Sequence, residues 1–150
     1  MKAVIQRSGP AAVEVEREIT GSIEEGMVIL LGVGHEDDGA HAEALAGKVA
    51  RIRIFPDEKD IPNRSLIDTG LEALVISQFT LMADTRKGNR PGYSDAAPPD
   101  QARALYEHFV EALKDILGTD KVATGRFGAM MDVSLVNRGP YTLLLESKVR

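Results

Sequence analysis

Leu74-Val75-Ile76-Ser77-Gln78-Phe79-Thr80-Leu81 decides how this chain is read. It begins as a short apolar run with two β-branched residues, the composition of a buried strand. It then turns polar at Ser77, Gln78 and Thr80, where a core strand would place no such side chains. A buried polar group without a partner costs about 1–3 kcal/mol. These three therefore either satisfy nearby backbone or face a pocket. Residues 84–92, Asp84-Thr85-Arg86-Lys87-Gly88-Asn89-Arg90-Pro91-Gly92, form a basic loop punctuated by glycine and proline. Such a loop suits an anionic ligand and tilts the balance towards a pocket.

Upstream, residues 27–33 are a continuous apolar run and predict a central buried strand. Before it, residues 3–7 predict a first strand, which Ser8-Gly9-Pro10 should break. Val13-Glu14-Val15-Glu16 alternates as a half-exposed strand does, and residues 19–23 predict a third. The short connections favour antiparallel neighbours. Between residues 33 and 74, Asp37 or Asp38 is set to cap a helix over residues 40–51, with Leu45, Val49 and Ile52 at helical spacing. Residues 52–55 fit its last turn or a strand, and Pro56 ends either. Residues 57–63 are a polar excursion, and Ser65-Leu66-Ile67 predicts a short edge strand.

Downstream, Pro98-Pro99-Asp100 opens a second helix striped by Leu105, Phe109, Ala112, Leu113 and Ile116, which Gly118 ends. Residues 121–124 and 131–136 predict strands. Asn137-Arg138-Gly139-Pro140 interrupts the latter before a last strand over residues 141–145. The expected fold class is α/β: a single domain over residues 1–150, with two main helices on a mostly antiparallel, barrel-like sheet.

A chain of 150 residues can bury about 68–70% of its unfolded surface. With 23 acidic against 18 basic residues the net charge is −5, which argues against a broad non-specific nucleic-acid binder but leaves room for a local basic site gripping one nucleic-acid end. The absence of cysteine removes thiolate nucleophiles, Cys-based zinc sites and disulfides. The apolar start ends too early for a signal peptide, and no run approaches the ~20 apolar residues of a membrane span. A soluble cytoplasmic protein is expected, with no membrane partner.

His35, His41 and His108 lack metal-ligand spacing, and the last two fall on predicted helices, where they should face solvent. There is no Gly-x-Ser-x-Gly elbow and no P-loop. Ser77 has no histidine near it in sequence, so a serine-hydrolase triad is unsupported. Asp84 begins a loop, where solvent should surround it. Phe127, in a loop between glycines, either plugs the core or offers a stacking face to a nucleobase. Gly139-Pro140 is either a plain turn or a way to bring rigid backbone carbonyls against a ligand.

Taken together, these segments resemble the D-aminoacyl-tRNA deacylases, once called D-tyrosyl-tRNA deacylases. The likeness runs from Met1 to Leu145. It rests on Ala3-Val4-Ile5-Gln6-Arg7, Ser77-Gln78-Phe79-Thr80-Leu81, Ala83-Asp84-Thr85-Arg86-Lys87-Gly88, Ala96-Ala97-Pro98-Pro99, Phe127-Gly128-Ala129 and Asn137-x-Gly139-Pro140-x-Thr142. The resemblance implies a homodimer with two sites at the interface, where Gly139-Pro140 of one subunit, in cis, enters the site of the other. Its carbonyls would hold the amino group of a D-residue and leave no room for an L side chain. Arg7 would hold that segment in place. Ser77, Gln78, Phe79 and Thr80 would line the reaction centre, and Phe127 would stack on the terminal adenine of tRNA.

The reaction implied is hydrolysis of the ester between a D-amino acid and the tRNA 3′ end, with glycyl-tRNA a further candidate substrate. No cofactor, metal or DNA partner is implied. Backbone N–H groups near Phe79 and Thr80, with the Gln78 amide, are candidate oxyanion donors. No side chain looks like a general base, and the family is thought to use the 2′-hydroxyl of the terminal adenosine to help activate water. Two departures stand out. Ser8-Gly9-Pro10-Ala11 replaces valine and small polar residues, and Tyr141 stands where valine is common. A non-catalytic module binding aminoacyl-tRNA ends is the competing reading, separated by turnover of free ester. A metal-dependent hydrolase is disfavoured by the lack of a ligand cluster.

Overall fold

The computed structural model describes residues 1–147. In chain order its elements are β1 (Lys2–Val15), β2 (Glu18–Ile23), β3 (Gly26–Gly32), α1 (Gly39–Arg51), β4 (Phe55–Pro56), β5 (Pro62–Arg64), α2 (Leu66–Thr69), β6 (Glu72–Ser77), α3 (Pro99–Leu117), β7 (Val122–Thr124) and β8 (Asp132–Glu146). Two 3₁₀ turns, Phe79–Met82 and Thr119–Lys121, follow β6 and α3.

β3 and β6 lie side by side and parallel, with Ile29 opposite Val75. Their continuous apolar composition follows from burial on both faces. Met27, Ile29, Leu31, Ala73 and Val75 point into a core shared with Leu45, Val49, Phe109 and Leu113 of α1 and α3. Val28, Leu74 and Ile76 point the other way, onto Ala11, Val13, Val15 and Ile23 of β1 and β2. The sheet is thus a wall between a helix-covered layer and a barrel interior.

The main sheet runs β2-β1-β3-β6-β7, with β8 on the other edge of β1. β1 pairs antiparallel with β2, β3 and β8, whereas β6 pairs parallel with both β3 and β7. The fold is therefore a mixed α/β sheet, nearly closed as a barrel. The expectation of antiparallel neighbours holds around β1 and gives way at β6, where helical crossovers join parallel strands. Closure comes where β2 meets β7. Any side chain at Gly21 would collide with the backbone of Thr124, so the two strands need glycine there to approach.

Three local expectations need correction. β1 does not break at Ser8-Gly9-Pro10. The pairing with β8 shifts there, and a bulge accommodates a proline that has no N–H to offer a ladder. Ser65-Leu66-Ile67 is not a strand. Ser65 caps the one-turn helix α2, its hydroxyl accepting from Asp68 N–H while Asp68 returns the bond to Ser65 N–H, a capping box. The apolar stripe of α3 is centred on Ala102, Tyr106, Phe109, Val110 and Leu113, with Leu105, Ala112 and Ile116 only partly buried. The ends of both long helices match the reading: Asp38 caps α1, Pro98 precedes α3 and Gly118 ends it.

Candidate active site

β6 ends at Ser77, and the chain tightens at once into the 3₁₀ turn of Phe79–Met82. Gln78 N–H donates to Leu31 O of β3 at 2.8 Å, tying the turn to the central strand. The Gln78 side-chain amide donates to the Thr80 hydroxyl. Two of the polar side chains thus satisfy each other across one residue. The N–H groups of Phe79 and Thr80 take no partner among the described residues. A turn of this kind leaves its first donors unsatisfied, and here they are adjacent. Phe79 is 57% exposed, with Tyr93 packed edge-on at 5.0 Å between ring centres.

The second expected group assembles at the β1–β8 bulge. Gln6 pairs with Thr142, but the next pair is Ser8 with Asn137, so β8 carries extra residues there. Although β8 runs on as one strand, its ladder is interrupted where the sequence suggested. Asn137 Nδ2 donates to Arg7 O at 3.4 Å, and Gln6 Nε2 donates to Thr142 Oγ1 at 3.2 Å, closing the bulge at both ends. Between them Arg7 reaches the displaced backbone. Its Nε donates to Arg138 O at 2.9 Å and its Nη2 to Gly139 O at 3.2 Å, while Nη1 is anchored on Ile54 O at 2.8 Å. The guanidinium carbon also lies 4.6 Å from the Tyr141 ring centre, so the residue that departs from the usual valine stacks on the clamp. The Gly139-Pro140 bond is cis, and both residues are exposed.

Phe127 is half-buried, with one part packed in the protein and another turned to the surface. One side packs on Tyr106 at 5.5 Å between ring centres, and Arg103 lies 5.2 Å from the ring. A surface groove of about 340 Å³ opens beside it, lined by Arg103, Tyr106, Thr124 and Gly125 among others. Tyr106 fixes this corner by donating to Val75 O at 2.9 Å. Burial, with the negative charge of Glu107, pushes its hydroxyl pKa up to about 12.

Asp84, expected to be solvated, is held at both oxygens by Arg86, at 2.9 and 2.7 Å. The Arg86 side chain first, and then its N–H, hold this carboxyl well below the usual carboxylate range. It is an anchored anion rather than a base in waiting. His108 is exposed beside Glu43 at 2.9 Å; His41, half-buried rather than solvent-facing, closes the α1 capping box. Among the described residues no group of three or more His, Asp or Glu side chains is placed to hold a metal ion. No described helix is long and apolar enough to cross a membrane.

Within one chain, Ser77–Thr80 and Gly139-Pro140 are not joined by any hydrogen bond among the described residues. Reading the sequence alone missed the bulge closures by Asn137 and Thr142, although their spacing within the motif was visible. It also missed Tyr93 and Tyr106, which only tertiary packing brings to the site.

Comparison with known proteins gives a consistent result. Residues 4–146 match the family model described as D-Tyr-tRNA(Tyr) deacylase. The chain is 55% identical over 148 residues to a D-aminoacyl-tRNA deacylase of Thermosipho africanus (strain TCF52B), covering 99% of this chain and 98% of that one. It is also 55% identical over 149 residues to the enzyme of that name from Roseiflexus sp. (strain RS-1), covering 99% and 95%. Among solved structures, a c-Myc DNA Unwinding Element Binding Protein superposes with a TM-score of 0.94 at 38% identity, covering 99% of this chain and 100% of that one. A probable eukaryotic D-amino acid tRNA deacylase shares the fold, with a TM-score of 0.86 at 15% identity over 97% and 98% of the two chains.

Proposed function

We propose a site and a reaction course for this chain from one premise: it belongs to the D-Tyr-tRNA(Tyr) deacylase family. It is a hydrolase that cleaves D-aminoacyl-tRNA to free D-amino acid and tRNA, a chiral proofreading step of translation. Water adds to the ester carbonyl carbon, the tetrahedral intermediate carries its charge on the former carbonyl oxygen, and the bond to the ribose oxygen breaks. The water proton ends on that ribose oxygen.

The observation that carries the reading is the pair of unpartnered N–H groups at Phe79 and Thr80, beside the Gln78 amide. They are the donors for the developing oxyanion, and losing one such donor typically costs about 10²–10³ in rate. Water activation falls to the 2′-hydroxyl of the terminal adenosine, because neither Thr80 nor Ser77 has a base beside it and a bare hydroxyl is a weak nucleophile. Phe127 stacks on the terminal adenine across its groove.

Chirality is screened by Gly139-Pro140 of a second subunit. In support, Gly139 and Pro140 are exposed, one edge of β8 is unpaired among the described residues, and Val133, Val136 and Leu144 of the strand and Met130 just before it are exposed. Unpaired apolar edges invite a partner strand. The assembly is a homodimer in which each site takes its reaction centre from one chain and its Gly-Pro carbonyls from the other. A wall that excludes L side chains does not exclude glycine, so mischarged glycyl-tRNA falls within its reach. The enzyme works in the cytoplasm, where aminoacyl-tRNA is made.

The reaction is tested by deacylation of D-tyrosyl-, L-tyrosyl- and glycyl-tRNA side by side. The first and third should be cleaved and the second spared; an intact D-ester would overturn the reading. A substrate ending in 2′-deoxyadenosine, charged on its 3′-oxygen, should be nearly inert. An aminoacyl-enzyme trapped on Thr80 would refute the role given to the 2′-hydroxyl. The assembly is tested by mixed dimers. A Cβ at Gly139 would meet only Asn137 Oδ1, at 3.5 Å, among the described residues of its own chain. Gly139→Phe should therefore fold and block the partner's site. Mixing Gly139→Phe with Gln78→Ala restores one intact site per heterodimer, about a quarter of wild-type activity for random pairing in a two-fold dimer. No recovery would mean that each chain carries its own complete site.

A further inference from the structure

The loop over residues 84–92 stands against the charge of the whole chain. It holds Arg86, Lys87 and Arg90 against Asp84, three positive groups and one negative, in a protein whose net charge is −5. Its shape is fixed at the root. Asp84 and Gly92 exchange backbone hydrogen bonds at 2.8 and 2.9 Å, and the Asp84 carboxylate is closed onto Arg86 at both oxygens. The one acidic side chain is thereby spent on one of the three cations. Lys87 and Arg90 are exposed and form no ion pair among the described residues.

The loop is also tied to the reaction centre. Tyr93, the next residue after the bridge, packs against Phe79 at 5.0 Å. From Asp84 the tip near Gly88 lies at most about 13–14 Å away, at roughly 3.3–3.6 Å per residue. Two unspent cations on a braced loop, within a few nucleotides' reach of the scissile ester, fit a polyanionic strand and have no ion-pair partner among the described residues.

We propose that Lys87 and Arg90 bind backbone phosphates of the tRNA 3′-terminal strand and so position the charged end over the reaction centre, while Arg86 braces the loop. This rests on the deacylase reading above. The two residues are binding groups and take no part in the chemical step. Phosphate contacts carry no sequence information, so they suit an enzyme that must accept many tRNAs.

The test compares D-tyrosyl-tRNA with D-tyrosyl-adenosine, which has the ester and the adenine but no phosphate. In the double variant Lys87→Ala/Arg90→Ala, KM for D-tyrosyl-tRNA should rise about two- to thirtyfold, the range for two exposed charge contacts together. kcat, and both constants for D-tyrosyl-adenosine, should stay at wild-type values. The slope of log(kcat/KM) against log salt should flatten by about 1.4, roughly 0.7 per phosphate contact on a single strand. The charge-keeping variant Lys87→Arg/Arg90→Lys should retain the wild-type KM. An unchanged KM and salt slope in the alanine variant overturns the proposal alone. Equal losses on D-tyrosyl-adenosine also overturn it, by showing that the loop acts on the reaction centre and not on phosphates. A wild-type chain that leaves both esters intact instead overturns the deacylase reading, and this proposal falls with it.

Discussion

β6 and β8 carry the two halves of the proposed site, and they could hardly be built more differently. In β6, residues 73–76 are all buried, wedged between the helix layer and the barrel interior. In β8 no residue is buried, and one edge is unpaired among the described residues. The proposed reaction centre is held by packing, because it is the direct continuation of a core strand. The Gly139-Pro140 segment is held by polar staples: Arg7, Asn137 and Thr142 acting on a bulge. Damage near β6 should therefore register as lost stability or lost rate. Damage around β8 should register as lost discrimination in a protein that still folds.

The largest effect expected lies under β6. Phe109→Ala removes a fully buried ring and should cost about 3–5 kcal/mol in chemical denaturation. Leu144→Ala, on the exposed face of β8, should stay within about 0.5 kcal/mol in the separated chain. A cost of several kcal/mol at Leu144 would break the contrast. Next comes Gln78→Ala, which should lower kcat on D-tyrosyl-tRNA by about 10²–10³ with the unfolding midpoint unchanged. Thr80→Ala and Ser77→Ala should each keep measurable turnover.

On the β8 side, Arg7→Lys keeps the charge but loses the fork that spans Arg138 O, Gly139 O and Ile54 O. Hydrogen bonds from a charged group are worth about 1.5–3 kcal/mol, so the ratio of kcat/KM for D- over L-tyrosyl-tRNA should narrow by about tenfold or more. An unaltered ratio would remove Arg7 from the screen. Phe127→Ala should weaken tRNA binding by about 1–3 kcal/mol in a titration. An unfolded variant would return the ring to a core role.

The smallest effect sits where core and groove meet. Tyr106 is neutral in the fold, with its pKa raised to about 12. A raised pKa means that the folded chain holds the proton more tightly than the unfolded one. The associated stability is complete below the unfolded value of about 10 and is lost as pH climbs from there towards about 12. Tyr106→Phe should cost about 0.5–1.5 kcal/mol at pH 7 and should flatten that alkaline decline. An equal decline in both proteins would assign it to other groups.

Local chemistry made the long helices legible. Asp38, the Pro98-Pro99 pair and Gly118 act within a turn of their own positions, and the structure keeps all of them. What sequence could not settle depended on distant partners. Ser8-Gly9-Pro10 reads as a break until β8 supplies a bulge opposite it. Ser65-Leu66-Ile67 looks like a strand because its apolar pair outweighed the return bond from Asp68, three residues from Ser65. Parallel pairing of β6 is a product of helical crossovers and leaves no mark within the strand itself. At the site, Gln78 and Thr80 were legible because their bond spans two residues. Arg7 holding Arg138 and Gly139 spans more than a hundred and thirty residues in sequence, and only the motif resemblance gave it away.

At the bulge between β1 and β8 the polar atoms fixed by Arg7 are main-chain carbonyls, those of Arg138 and Gly139. A screen made of main-chain atoms has nothing to match against the variable part of a substrate. In the proposed dimer it would interrogate the handedness of the α-carbon alone and be indifferent to everything attached beyond it. Breadth and strictness, which usually compete in a binding pocket, then arise from the same few atoms.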